Sequence, residues 1–186
     1  KAANHPNKDY FFIIDEINRG NLSKIFGELF MLIEKDKRGI ELQLLYSDEN
    51  FSVPANVYII GMMNTADRSL AMLDYALRRR FSFFTMKPGF NAPGFQAYQD
   101  SRKSDDFNKL IACVKQLNSK IAEDISLGEG FCIGHSYFCS LTPETANTQT
   151  LSSIVEYELI PLLKEYWFDE PANVIDWGDR LRSAVK

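Results

Sequence analysis

Asp9-Tyr-Phe-Phe-Ile-Ile-Asp15-Glu16-Ile-Asn18-Arg19-Gly20-Asn21 is the stretch on which the fold turns. Tyr10 to Ile14 is an unbroken aromatic and β-branched run, and it ends abruptly in two carboxylates. Such a run predicts a strand buried on both faces, as in a parallel sheet covered by helices. In sheets of that kind ligands lie beyond the carboxyl ends of the strands. Two acids at such an edge are costly to bury unpaired, so a cation or a reactive water is their natural partner. The plainer alternative is a strand that leaves the core into a charged turn.

Outward from this stretch, Asn21 is placed to cap a helix from Leu22 to Asp36, whose Leu22, Ile25, Phe26, Leu29, Leu32 and Ile33 recur at helical spacing. Residues 40–46 alternate apolar and polar, a polar turn follows, and Phe51 to Val53 return, which predicts a β-hairpin ended by Pro54. Asn56 to Met63 reads as a second buried strand. It would set Asn64 at the same sheet edge as Asp15, where an amide can orient a water against a terminal phosphate; a turn-capping Asn is the plainer role. Ser69 is a helix cap for the apolar face of Leu70, Leu73 and Leu77. That helix ends in Arg78-Arg79-Arg80, and Phe81 to Met86 predict a third strand. One arginine suits a helix C-terminus; three exceed that need and fit a cation that reaches phosphates held by a neighbouring subunit. Arg19 has a surface ion pair as its plain role, and a neighbouring subunit or a phosphate as its functional one. Asp74 could pair with Arg78 or Arg79.

Pro88 to Gly94 is the clearest linker, and the domain boundary is placed there, with residues 1–88 before it and 89–186 after. Beyond it the pattern is helical: weakly from Gln96 to Arg102, strongly from Phe107 to Ile125, and again from a capping box at Ser153 to Glu156 through a helix that Pro161 kinks. Between these lies the Gly-punctuated loop Gly128 to Phe138, expected to lead to a short extended piece. A last helix is expected from Ala172 to Ala184.

The composition, 45% hydrophobic over 186 residues, supports a real core. A net charge of −4 gives no support for nucleic-acid binding by overall charge. The three cysteines have no metal-ligand spacing and read as reduced thiols of a cytoplasmic protein, and no apolar run reaches membrane-spanning length. His5 lies in a polar entry segment and reads as exposed. The chain opens on Lys1 without an initiator methionine and is expected to be a piece of a longer protein.

A strand ending Asp-Glu, a hairpin, a strand ending Asn, a helix ending in arginines and then helices resemble, in that order, the second half of an AAA+ ATPase module. Four strings are closer still: Asp15-Glu16-Ile-Asn18-Arg19-Gly-Asn, Met63-Asn64-Thr65-Ala66-Asp67-Arg68-Ser69, Asp74-Tyr-Ala-Leu-Arg78-Arg79-Arg80-Phe81 and Ile133-Gly134-His135-Ser136-Tyr137-Phe138. They resemble the McrB family, the GTP-using motor subunits of methylation-dependent restriction systems. The resemblance implies an α/β fold, the C-terminal part of a P-loop AAA+ module (a parallel sheet with flanking helices), followed by a mostly helical lid. It implies that Asp15 and Glu16 are the Walker B pair, Asp15 holding Mg²⁺ largely through water and Glu16 polarising the attacking water. It matches Asn64 to the first sensor, Arg79 and Arg80 to arginine fingers, Arg19 and Asp74 to positions near the subunit boundary, and His135 to the lid loop near the nucleotide.

The implied cofactors are Mg²⁺ and GTP, or ATP. The implied partners are further copies in a ring, expected as a hexamer, the nuclease subunit of a restriction system, and DNA through domains outside this chain, with no membrane. No Gly-x-x-x-x-Gly-Lys-Ser/Thr occurs in these residues, so this chain alone is expected to bind nucleotide weakly or not at all and to be inactive. The alternatives are an ATP-dependent AAA+ remodelling enzyme and a non-catalytic AAA+-like scaffold.

Overall fold

The computed structural model describes all residues except Tyr46, Thr65 and 67–74, with the side chains of Leu22, Ser23 and 75–77 also outside the description. The expected cap at Ser69, its apolar helix face and the Asp74 ion pair fall on those residues. The chain divides into two compact units, Lys1–Phe84 and Thr85–Lys186.

In the first unit the apolar runs form the expected parallel pair. β1 (Tyr10–Ile14) lies beside β4 (Val57–Gly61), in register from Tyr10 opposite Val57 to Ile14 opposite Gly61. Between them come α1 (Leu22–Phe26), two 3₁₀ segments (Gly27–Ile33 and Lys35–Lys37), and a short antiparallel hairpin of β2 (Leu42–Gln43) and β3 (Asn50–Phe51). Asn21 caps α1 as expected, its Oδ1 accepting from the Lys24 N–H at 3.0 Å. The long helix expected to Asp36 is broken: Gly27 adopts φ +49°, a left-handed step that an α-helix cannot continue through. Arg38 pins the segment to the sheet, donating to the carbonyls of Ile33 and Val57 at 3.1 and 2.9 Å.

β1 is not buried on both faces. Ile14, with Phe26, Ile33 and Phe81, packs around buried Ile17 and Phe30. The opposite face, with the stacked pair Phe11–Tyr58 and the pair Ile13–Ile60, is open, Phe11 at 63% exposure. Among the described residues the covering elements lie on one side only. The third strand expected at Phe81–Met86 does not form either. α2 (Tyr75–Arg80) runs into a segment that joins no strand among the described residues, and in it Phe83, Phe84 and Met86 are exposed.

The second unit is a helical bundle of α3 (Pro93–Arg102), α4 (Asp105–Glu123), α5 (Thr148–Ile154), α6 (Ile160–Tyr166) and α7 (Pro171–Ala184). Leu110, Val114, Leu117 and Ile121 of α4 are fully buried against Leu151, Leu163 and Leu181. Ser104 caps α4 through the Phe107 N–H at 3.2 Å. The cap of α5 is Asn147, accepting from Thr150 N, and not Ser153, whose hydroxyl turns back to the Gln149 carbonyl. Val155–Leu159 is a π-helical segment between α5 and α6. Pro161, with no N–H to give, follows directly, so the disturbance expected as a kink is a widened turn just before it. The loop expected to lead to an extended piece instead ends in a 3₁₀ turn, His135–Phe138. Nor is Pro88–Gly94 a loose linker: Lys87 pairs with Glu129 at 3.0 Å, Phe90 is buried in the bundle core, and α3 begins at Pro93.

Candidate functional site

The aligned ends of β1 and β4 continue as a backbone clasp. Met62 donates to the Ile14 carbonyl at 2.8 Å, and Ile17 donates to the Met62 carbonyl at 2.9 Å. Asp15 and Glu16 are thus the crest of a turn held at both feet. Glu16 stands at φ +50°, a left-handed conformation unusual for a residue with a Cβ, and the clasp on either side holds it there. The Asp15 Oδ1 accepts from the Glu16 N–H at 2.9 Å. Ile17, just past the crest, is buried against Gly61; a Cβ built on Gly61 would lie 2.5 Å from the Ile17 Cδ1. Any larger residue at 61 therefore requires the Ile17 side chain beneath the turn to shift.

Both acids are exposed. Glu16 meets Arg19 at 2.7 Å, and with both side chains half in solvent the pair contributes about 0–1 kcal/mol. A pair so weak can open when a stronger partner for either charge arrives. Asn64 follows β4 at the same edge. Its Oδ1 accepts from the Ala66 N–H at 3.0 Å, an Asx turn, so the side-chain oxygen is engaged and the amide NH₂ is the donor end. Asn18, unassigned by the sequence, reaches across from the turn to the Asn64 carbonyl at 3.5 Å. Asp15, Glu16, Arg19 and Asn64 thus share one edge of the first unit.

Arg79 and Arg80 stand at the end of α2 in that unit. Arg79 is exposed. Arg80 is turned inward, 2.5 Å from Glu34, with its guanidinium 4.4 Å from the centre of the Phe30 ring. Glu34 and Phe30 carry no motif that would have marked them. His135 belongs to the second unit. Its Nδ1 accepts from the Gly89 N–H at 3.0 Å, which puts the ring proton on Nε2, and its ring meets Phe95 and Phe90 edge-on.

Asp15 fits a magnesium ion held largely through water: it is solvent-facing, one oxygen is engaged by backbone, and Oδ2 is left to accept from a hydrated ion. Among the described residues no cluster of three or more His, Cys, Asp or Glu forms a cage for a metal. Burial pushes the Cys113 and Cys132 thiols up, as befits packing groups and not nucleophiles. No helix of the described residues is long and apolar enough to cross a membrane.

Comparison with known proteins gives two family matches: an AAA domain of the dynein-related subfamily over residues 1–81, and the McrB alpha-helical lid domain over residues 109–175. The type IV methyl-directed restriction enzyme EcoKMcrB subunit of Escherichia coli (strain K12) is 51% identical over 97% of this chain and 42% of its own length. The type II restriction enzyme BsuMI component YdiS of Bacillus subtilis (strain 168) is 28% identical over 70% of this chain and 44% of its own length. The chain spans less than half of either relative. An α/β AAA portion with a parallel strand pair, followed by helices that match the McrB lid, makes this chain a member of the McrB family of AAA+ proteins.

Proposed function

We propose that the protein containing this chain is a nucleoside-triphosphate-hydrolysing motor of a methyl-directed restriction system, with GTP as its fuel. The observation that carries the reading is the clasped turn, which holds Asp15 and Glu16 beside Asn64 at one sheet edge. The E. coli relative, named as a methyl-directed restriction subunit, supports the context.

In this reading Asp15 would hold Mg²⁺ through its water shell, and the ion would supply positive charge against that developing in phosphoryl transfer. Glu16, released from Arg19, takes the proton of the attacking water, and the Asn64 amide fixes that water in line. Arg79 reaches the phosphates held by the next copy in a ring of six. Arg80, held by Glu34 and Phe30, keeps the end of α2 in place so that Arg79 projects. Arg19, once parted from Glu16, faces the subunit boundary. With Nδ1 engaged, His135 would meet a nucleotide through its Nε2–H. The ring drives a nuclease subunit on DNA read by other domains; residues 1–88 supply the chemistry and 89–186 the lid.

The test is steady-state turnover of GTP and of ATP by the full-length protein, with Glu16→Gln alongside. The expected result is GTP turnover lost in Glu16→Gln, with nucleotide binding retained. Full turnover by Glu16→Gln would refute the role of Glu16. Turnover of ATP in place of GTP would keep the mechanism and remove the fuel assignment. No turnover of either by rings that still bind nucleotide would refute the motor in favour of a scaffold.

A further inference from the structure

We infer that Asn18 is a positioning residue for this hydrolytic site, tying the turn that carries Glu16 to the backbone of Asn64. The inference rests on the functional reading above and adds a residue to it.

Three asparagines stand at this sheet edge, and two of them serve their own turns. Asn21 caps the following helix, and Asn64 closes an Asx turn on Ala66. Those are the ordinary uses of the residue. Asn18 does neither. Its local turn is closed without it, by the Arg19 N–H on the Glu16 carbonyl at 2.9 Å. Its side-chain NH₂ instead points to the carbonyl of a residue 46 positions along the chain, at 3.5 Å. Its Oδ1 is enclosed, with no hydrogen-bond partner among the described residues. A shut-in acceptor without a donor costs free energy, and a turn residue bound only by local propensity would rotate it into water. The side chain stays where its other end meets Asn64.

The backbone clasp fixes the separation of the two strands as far as Ile17 and Met62. Beyond Met62, among the described residues, no backbone hydrogen bond ties the chain of Asn64 back to the turn, and the Asn18 amide spans that gap. It acts on the Asn64 main chain. The Asn64 oxygen is locked to Ala66, so the direction of the Asn64 NH₂ follows the main chain to which Asn18 holds. In the functional reading Glu16 and that NH₂ act on the same water, so their relative placement sets the rate of the chemical step and not the binding of nucleotide.

The experiment is a double-variant cycle in the full-length protein, with GTP turnover, nucleotide affinity and melting temperature read on each form. Asn18→Leu keeps the shape and removes the amide. Its expected effect is a fall in kcat of roughly 10- to 100-fold, with affinity changed less than about threefold. Added to Asn64→Ala it should cause little further loss, under about twofold, because Asn18 works through Asn64. Should Asn18→Leu fail to fold, Asn18→Asp, nearly isosteric but with no amide donor, is expected to show the same fall in kcat and the same lack of added loss. Full kcat in the folded variant, or losses that multiply in the double variant, would overturn the inference. Glu16→Gln in the same preparation separates the two failures. If Glu16→Gln is dead and Asn18→Leu is fully active, only the role of Asn18 falls. If Glu16→Gln is fully active, the hydrolytic reading falls and Asn18 with it.

Discussion

Gly61→Ala tests whether the packing beneath the acidic turn governs the chemistry above it. The new methyl would sit 2.5 Å from the Ile17 Cδ1, and ordinary contact begins at 3.4 Å, so something must move by about 1 Å. Ile17 is only 6% exposed and cannot escape into solvent. Rotating its terminal methyl off-rotamer costs about 0.5–1.5 kcal/mol, and overpacking a tight site costs typically about 1–3 kcal/mol. A destabilisation of about 1–2 kcal/mol is therefore expected, seen as a lower urea midpoint at unchanged slope. The share of the movement that reaches the backbone lifts Glu16 from its place; a displacement near 1 Å at a reacting group is worth up to ~10²-fold in rate, so turnover should fall at least about tenfold. Ile17→Val removes the colliding atom and leaves Cγ2 at 3.3 Å and Cβ at 3.5 Å. The double variant Ile17→Val/Gly61→Ala should therefore regain most of the lost turnover, at its own packing cost of about 0.5–1.5 kcal/mol. The assay is turnover by the full-length protein beside urea unfolding. Wild-type turnover in Gly61→Ala, or no recovery in the double variant, would refute the link between this contact and the site.

Arg79→Ala is expected to lower ring turnover by ~10³ or more, and Arg80→Ala, which strips a half-buried ion pair and a ring contact, should lower stability by about 1–2 kcal/mol; turnover checks the first and calorimetry the second. In the helical unit the indole N–H of buried Trp167 donates to Asp124 at 2.8 Å, and that bond holds the Asp124 carboxyl below its ordinary value of 3.8. A depressed folded-state value means the contribution is whole above the unfolded value and is lost as pH falls through the lower, folded one. Trp167→Phe should therefore cost about 1–2 kcal/mol at neutral pH, and should lose less stability than the parent as pH falls below about 4, followed by far-UV dichroism in urea. Equal acid sensitivity in the two proteins would show that the bond does not couple to folding.

Long apolar runs were the most legible part of the sequence. Tyr10–Ile14 and Val57–Gly61 pair as expected, because nothing else suits a β-branched run that ends in turn residues. Helices with a strong apolar face, such as Phe107 to Ile121, were legible for the same reason. What failed needed partners to decide it. Phe81–Met86 has strand composition but joins no strand, and the open face of β1 has no cover, among the described residues. Gly27 ends α1 by a dihedral that composition does not announce. The Pro-Gly stretch at residues 88–94 looked like a linker because its residues favour turns, yet Phe90 inside it is a core residue. At the candidate site the acids and Asn64 were found from strand ends, while Asn18 and the inward hold on Arg80 depend on side-chain directions that no spacing records. Gly61 did carry a signal, a glycine closing an apolar strand, which commonly marks a close approach.

The contact between Gly89 and His135 bears on how this sequence can drift. Gly89 is not held by a left-handed turn; a methyl there would meet the imidazole at 3.0–3.3 Å, and the ring takes its proton-donor partner from the same residue. The two positions thus form one heritable unit across a separation of 46 residues. A lineage that keeps the histidine can place a side chain at 89 only where the ring gives by a few tenths of an ångström, whereas one that first trades the ring for a small side chain frees 89 to vary. The reverse order passes through a more tightly packed intermediate. Covariation between these positions would then report a steric coupling inside the helical unit.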